Sequence, residues 1–256
     1  MRFEDGQHIH LVGVGGYGIS AIARILLERG FRVSGSDRNE NTLTQALERD
    51  GATIYKGHAD DYVNGADMLI VSSAIPADHV EIIAAKEQDL PVYKRRDVLA
   101  ALMAEQQVIA VAGTHGKTTT TSMIVHILRE SGHDPSYIVG GEMPSTGTNA
   151  GVGSDRVFVI EADEYDLMFH GLEPDIVIIT SIEYDHPDFF TSWADLQKAF
   201  RHFVALLPAD GILIGCGDDA ATEQLLKVQM QAALEAVASG KPARKIISYG
   251  VEFLDF

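Results

Sequence analysis

A glycine-lysine-threonine triplet, Gly116-Lys117-Thr118, follows an apolar run, Val108 to Ala112, and a break at Gly113; a helical pattern begins at once. Glycines let a turn wrap closely enough for backbone N–H groups to point at phosphate oxygens. In such a turn Lys117 reaches the outer phosphates, the Thr118 hydroxyl sits on a magnesium ion, and the new helix adds its positive end. The standard phosphate-loop pattern wants a glycine five residues before Gly116, where this chain has Val111, so the loop is a variant whose other glycine is Gly113. The competing reading is an ordinary strand-turn-helix corner with a surface lysine.

Two further constellations lie downstream. Glu161-Ala162-Asp163-Glu164-Tyr165-Asp166 follows the apolar strand Val157 to Ile160. Most carboxylates in such a run make a solvated face. One at a strand end beside a phosphate loop suits magnesium, which prefers oxygen ligands and shares them with substrate phosphates. Ser181-Ile182-Glu183-Tyr184-Asp185-His186 closes the strand Ile176 to Thr180. By residue type His186 is a turn histidine or a ligand. Its place on the same sheet edge as the lysine loop and Glu161 keeps both readings open.

Near the N-terminus the short strand His8 to Val14 enters Gly13-Val14-Gly15-Gly16-Tyr17-Gly18, which contains G-x-G-x-x-G. With Asp37 about twenty residues further on, it imitates a dinucleotide-binding fingerprint. Its physical content is that a diphosphate can approach a helix N-terminus, and a tight turn without ligand has the same composition. Ser36-Asp37 and Ser72-Ser73-Ala74 lie where adjacent parallel strands end, which is where ligands of such sheets bind. They are placed to contact a ribose, a base or a sugar.

The elements that position these residues alternate between strand and helix. Strands at 8–14, 31–35, 53–55, 68–71 and 91–93 are separated by helical stretches, the first with Ile19, Ile22 and Leu26 on one face and Gly30 at its end. The fold class is α/β: a Rossmann-like doubly wound parallel sheet over 1–104, then a central α/β domain of the P-loop ATPase type over 105–256. The polar stretch Ala104-Glu105-Gln106-Gln107 marks the boundary. In the second domain a helix with Met123, Ile124, Ile127 and Leu128 on one stripe stops at Gly132. Strands follow at 137–139, 157–160, 176–180, 212–216 and 245–249. A long helix starts near Ser192, which has capping-box spacing to Asp195, and another covers 221–238.

A net charge of −17 argues against nonspecific binding of nucleic acid or a membrane surface. It says little against phosphate ligands, because one lysine, one metal and helix N-termini reverse the sign locally. The single cysteine, Cys216, lies in an apolar run and is expected to be small and buried, with no intramolecular disulfide. The opening residues MRFEDGQ are not a signal peptide, and no apolar run approaches membrane-spanning length, so the cytoplasm is the expected location. The final run, Val251 to Phe256, is apolar where natural termini are usually polar, so the sequence reads as cut off.

Taken together, Gly113-Thr114-His115-Gly116-Lys117-Thr118-Thr119, Glu161-Ala162-Asp163-Glu164 and Asp185-His186 resemble the ATP-dependent Mur ligases of peptidoglycan synthesis. His8-Ile9-His10 with Gly13 to Gly16, Ser34-Gly35-Ser36-Asp37, Ser72-Ser73-Ala74-Ile75, and Gly140-Gly141 with Thr148-Asn149-Ala150 are similar to the members that act on UDP-N-acetylmuramate and L-alanine. The resemblance covers essentially the whole chain. It implies that Gly113, Thr114, His115, Gly116, Lys117, Thr118 and Thr119 bind ATP, with Lys117 neutralising the transferring phosphate. It implies that Thr118 and Glu161 hold Mg2+ and that His186 ligates a second metal near the reacting carboxylate. Gly15, Gly16 and Gly18 would face the UDP diphosphate, with Ser36, Asp37, Ser72 and Ser73 nearby. Lys117, Glu161 and His186 are thus the implied catalytic set.

The implied reaction joins L-alanine to the carboxylate of UDP-N-acetylmuramate through an acyl phosphate, with release of ADP. Three residues depart from the family pattern: Ser181 stands where asparagine is usual, His79 where asparagine is frequent, and Tyr165 where the alanine-adding members have serine. Ligases that recycle murein peptides often have tyrosine at this last position, so attachment of a tripeptide is the near alternative. Family members also carry a third, C-terminal domain for the incoming amino acid, and nothing in this sequence corresponds to it. The expectation is a chain that holds both nucleotide half-sites but does not complete turnover alone; a homodimer is left open. Two rivals come from other classes. A nicotinamide-dependent oxidoreductase explains Gly13 to Gly18 with Asp37 but not the lysine loop, and a non-catalytic nucleotide-binding module explains both loops without chemistry.

Overall fold

The computed structural model describes residues 1–251; beyond Val251, the apolar run read at the C-terminus lies outside the described residues. The chain divides into two compact units, Met1–Ala104 with Ser136–Ser154, and Glu105–Pro135 with Asp155–Phe256.

The first unit is built on β1 (His8–Val12), β2 (Arg32–Asp37), β3 (Thr53–Lys56), β4 (Met68–Val71) and β5 (Val92–Lys94). They lie in the order β3-β2-β1-β4-β5, and every pair is parallel. Ile9, Leu11, Val12, Leu69 and Ile70 have no exposure, as expected for short apolar strands covered on both faces. The connections contain α1 (Tyr17–Glu28), α2 (Thr42–Arg49), α3 (Val80–Glu87) and α4 (Arg95–Leu102). The α1 helix buries Ile19, Ile22, Ile25 and Leu26 and gives way to Gly30 at φ +83°, a left-handed position that suits glycine. Strand order reverses between β1 and β4, so the loops after these two strands flank the crevice where ligands of such sheets bind. Backbone bonds draw the strand ends together: Gly13 N–H donates to Ser36 O at 2.8 Å and Ser72 N–H to Val12 O at 3.1 Å.

The chain continues through β6 (Gln107–Ala112) and α5 (Lys117–Glu130) into an antiparallel hairpin of β7 (Ser136–Met143) and β8 (Thr148–Gly151). The hairpin belongs to the first unit, where Asn149 Nδ2 donates to Tyr17 O at 2.8 Å and to Ser20 Oγ at 3.1 Å. A boundary placed once, at 104/105, assigns this stretch to the second domain. Its polar anchor Asn149 instead satisfies the start of α1, a pairing across more than a hundred residues that a linear reading does not register.

The second unit has β6, β9 (Val157–Glu161), β10 (Ile176–Ile179), β11 (Ile212–Cys216) and β12 (Lys245–Tyr249) as parallel strands, in the order β12-β11-β10-β6-β9. Two long helices, α6 (Trp193–Ala205) and α7 (Ala220–Ala238), complete it. Ser192 caps α6, its Oγ accepting the Asp195 N–H at 3.2 Å, as the spacing predicts. Phe169, Phe200 and Phe203 form an aromatic core, Phe169 stacked on Phe203 at 4.6 Å and edge-on to Phe200 at 5.5 Å.

Two expectations of burial change here. On α5 the buried residues are Thr121 and Val125, while Met123 and Ile127 are each 57% exposed, so the apolar stripe is not the face that packs on the sheet. Cys216 is only half-buried. Among the described residues no helix is long and apolar enough to cross a membrane.

Candidate functional site

In the second unit, β6 lies between β10 and β9, so the loops after these three strands share one sheet edge. Val111 is a fully buried strand residue paired with Glu161, and the loop proper begins at Gly113. Gly113 has φ +135°, and a Cβ there would collide with Thr180 Oγ1 and lie 2.9 Å from Ser181 N; only glycine fits. The loop is pinned to the segment after β10. Thr114 N–H donates to Ser181 O at 2.8 Å, and the Thr114 hydroxyl donates to Glu183 O at 3.0 Å while accepting the Glu183 N–H at 2.8 Å. Ser181, the departure from asparagine, takes the His115 N–H on its hydroxyl at 3.3 Å. Gly116, at φ +79°, opens α5 with no capping side chain, so the first turn of the helix presents its N–H groups. His115 and Thr119 are exposed beside it.

Lys117 Nζ donates to Gly113 O at 2.6 Å and to both oxygens of Glu164, at 2.9 and 3.0 Å. The Glu164 side chain is 1% exposed, and burial drives its pKa above the ordinary carboxylate value, with the Lys117 ammonium opposing. Thr118 Oγ1 donates to Glu161 Oε1 at 3.0 Å. A hydroxyl and a carboxylate at this separation, on an open loop, fit the hard-oxygen preference of Mg2+. His186 Nε2 stands 3.8 Å from Glu164 Oε1 and 3.8 Å from Asp185 Oδ2. Glu164, Asp185 and His186 each offer a ligand atom within 4.8 Å of the others. His186 itself has φ +54°, a conformation that costs energy for a side chain with a Cβ and is held by Phe189 and Phe190 N–H bonds to its carbonyl. Tyr165 packs edge-on to the His186 ring at 5.1 Å and donates its hydroxyl to Asp188 at 3.1 Å.

Glu161, Lys117, Thr118 and His186, singled out by type and spacing, are therefore brought together. Glu164 and Asp185 are functional candidates that residue-by-residue reading passed over. Glu164 sits in a run of acids that looks like solvated surface, and only its burial against Lys117, 47 residues away, distinguishes it.

In the first unit, Gly15 N–H donates to Asp37 Oδ2 at 2.8 Å and Asn41 Nδ2 donates to Gly15 O at 2.9 Å. Asp37 thus shapes the glycine loop. Gly16 precedes α1 without a capping side chain, and a Cβ on Gly18 would collide with the Arg95 guanidinium, which places a cation at the start of that helix. Ser72, half-buried, and Ser73, exposed, follow β4 on the other side of the crevice. Gly15, Gly16, Gly18, Asp37, Ser72 and Ser73 gather at the switch point.

Ser36 does not join them. It is fully buried, and its hydroxyl donates to the Glu81 carboxylate at 2.8 Å. Alternate side chains of a strand face opposite sides, so when Asp37 serves the loop its neighbour turns inward. Glu81, also without exposure, is 2.7 Å from His10 Nε2 and 2.8 Å from His58 Nδ1. Burial alone would raise the Glu81 pKa, but bonds from His10, Ser36 and His58 outweigh it and hold the carboxyl below its ordinary value.

A parallel sheet that runs into a lysine-bearing glycine loop, with a threonine and an acid on one edge, is the frame of a phosphate-loop nucleotide-binding protein. Residues 8–107 match the Mur ligase family catalytic domain and residues 111–250 the Mur ligase middle domain. The chain belongs to the Mur ligase family. It is 44% identical over 243 residues to a UDP-N-acetylmuramate--L-alanine ligase of Renibacterium salmoninarum, covering 95% of this chain and 52% of that protein. A protein of the same description from Pelotomaculum thermopropionicum is 46% identical over 223 residues, 87% of this chain and 48% of its own. The chain therefore spans about half the length of the curated relatives it matches. Among solved structures, UDP-N-acetylmuramate-alanine ligase from Thermotoga maritima superposes with a TM-score of 0.77 at 32% identity, covering 85% of this chain and 51% of that one. UDP-N-acetylmuramate:L-alanyl-gamma-D-glutamyl-meso-diaminopimelate ligase from Neisseria meningitides gives 0.83 at 27% identity, with coverages of 95% and 78%.

Proposed function

We propose that this chain supplies the UDP-sugar and ATP sites of an ADP-forming ligase that joins L-alanine to the carboxylate of UDP-N-acetylmuramate in peptidoglycan precursor synthesis. The observation that carries this reading is the sheet edge at which Lys117 lies on buried Glu164, Thr118 lies on Glu161 and His186 stands beside Glu164 and Asp185. The first unit takes the UDP-sugar, its diphosphate at Gly15, Gly16 and Gly18 with Ser72 and Ser73 across the crevice. The second takes ATP on Gly113 to Thr119. These substrates are made in the cytoplasm, which is the location the reading implies.

The sugar carboxylate attacks the γ-phosphate, ADP leaves, and the amine then displaces phosphate from the acyl phosphate. Two anions must meet in the first step, so the protein's task is to hold them in line and offset their repulsion. The Lys117 ammonium is held within reach of the loop by Glu164 and Gly113 O, and the first turn of α5 adds its N–H groups. Mg2+ on Thr118 and Glu161 would supply further positive charge to the phosphates, and the Glu164-Asp185-His186 group has the donors for a second divalent ion. The chain spans about half the length of these relatives, and the reading assigns to it the two nucleotide sites.

Calorimetry on the 256-residue chain tests this. ATP with Mg2+ and UDP-N-acetylmuramate are expected to bind one equivalent each and NADH not at all; binding of NADH without response to UDP-N-acetylmuramate would overturn the assignment. A second reading, transfer of a whole murein tripeptide, is favoured by one feature, Tyr165 packed on His186. Comparing ADP release with L-alanine and with the tripeptide, in a protein extended to the length of its relatives, separates the two.

A further inference from the structure

Among the described residues, the proposed nucleotide sites leave one cluster of metal-capable side chains without a task. His58, in the loop after β3, and His79 and Glu81, at the start of α3, each offer a ligand atom within 4.8 Å of the others. The His58 and His79 rings meet edge-on at 4.4 Å, and His58 Nδ1 is 2.8 Å from Glu81 Oε1. Glu81 is locked from behind: its carboxylate accepts the Ser36 hydroxyl and lies 2.7 Å from His10 Nε2, and both partners are fully buried. His10 is itself fixed by Ser34 Oγ, 2.7 Å from its Nδ1. This is how metal-ligating carboxylates are usually held, with the inner oxygen supported so that the outer one is aimed.

We propose that His58, His79 and Glu81 form a binding site for a zinc-type divalent transition metal in the first unit. Two imidazoles and one carboxylate suit Zn2+ at about 2.0–2.2 Å from each ligand, and three protein ligands leave a fourth position for water or another oxygen. The donor set distinguishes it from the Thr118–Glu161 pair, whose oxygens suit magnesium. The hydrogen bond between His58 and Glu81 accounts for two of the three residues without an ion. His79 accepts the Glu81 N–H at a long 3.4 Å, a weak helix cap that does not by itself account for its ring lying against His58. The ion would tie the loop after β3 to the start of α3. Through Glu81 and Ser36 it would stand one residue from Asp37, which holds the Gly15 loop.

The test is Zn2+ competition against a chromophoric chelator with the 256-residue chain, its His79→Asn variant and its His186→Ala variant. Asparagine keeps a good helix-capping side chain at position 79, so H79N is expected to fold, and its thermal melt in chelator checks that. H79N should lose one zinc equivalent, its affinity falling more than about 100-fold, beyond what outer-shell changes produce. H186A should keep that equivalent, since its effect is confined to the Glu164 group. Imidazole nitrogen resonances of His58 and His79 should shift together when Zn2+ is added to the wild-type chain. Equal zinc affinity in wild type and H79N, or loss of the tight equivalent only in H186A, would overturn the proposal and leave a hydrogen-bonded network alone.

Discussion

The two glycine loops of this molecule are built from the same parts and place their acids differently. Each follows a central parallel strand, and each opens a helix with no capping side chain, α1 after Gly16 and α5 after Gly116. In the first unit the acid beside the loop, Asp37, is spent on the backbone, bonding Gly15 N–H at 2.8 Å. The second unit has the lysine inside the loop, paired with an acid that has almost no exposure. A loop shaped by a backbone-bound carboxylate can cradle a diphosphate. One that carries a buried ion pair and an outward threonine-acid pair can also offset charge that develops during a reaction. Under the proposed function the difference separates holding from reacting, and it lies in where the acids go, since both loops have their glycines.

The largest effect is expected at the pair itself. Lys117→Ala should weaken ATP binding by about 3 kcal/mol, roughly 100-fold, and leave UDP-N-acetylmuramate affinity unchanged in calorimetry. It also strands Glu164 in the interior, so the second unit should melt earlier. Adding Glu164→Gln should recover part of the stability and none of the ATP affinity. Equal loss at both ligands would erase the division of labour between the loops.

The glycines sharpen the comparison. At Gly113 an alanine meets Thr180 and Ser181 at a positive φ and should cost about 2–3 kcal/mol in urea denaturation. Gly16 has φ −81° and its nearest neighbour to a Cβ is 3.6 Å away, so Gly16→Ala should stay within about 0.5 kcal/mol. An effect smaller than that at Gly113 is expected from Asp37→Asn, which weakens the charge-assisted bond to Gly15. UDP-N-acetylmuramate affinity should fall by about 1 kcal/mol, or fivefold, with ATP affinity intact.

The last prediction concerns pH. The Glu81 carboxyl is held below its ordinary value in the folded chain, so the folded state binds fewer protons than the unfolded state across that interval. The resulting stability is complete above the ordinary carboxylate range and is lost as pH falls through the depressed value. Glu81→Gln should be less stable at neutral pH and show a flatter loss of stability in acid, read from urea midpoints at a series of pH values. An unchanged slope would mean that the bonds from His10, Ser36 and His58 do not act on the charge.

Much of the fold and the lysine loop was legible in the chain. Short apolar runs such as Met68 to Val71 and Ile212 to Cys216 are strands with the bounds their composition indicates, and Ser192 caps its helix as its spacing to Asp195 requires. Gly113 and Gly116 announce a turn that other residues cannot make, because a positive φ is a property of the local backbone. Contiguous residues determine these features. Their chemistry is complete within one turn or one strand.

The tertiary structure decided the rest. It chose Glu164 over its neighbours Asp163 and Asp166 as the partner of Lys117, turned Ser36 inward while Asp37 faced the glycine loop, and placed the hairpin at 136–151 with the first unit. It also gathered His58, His79 and Glu81, which the sequence spreads over two separate segments. Each outcome depends on which polar group loses its water and what replaces it. That partner arrives from tens of residues away, so the exchange is settled only when the strands have stacked.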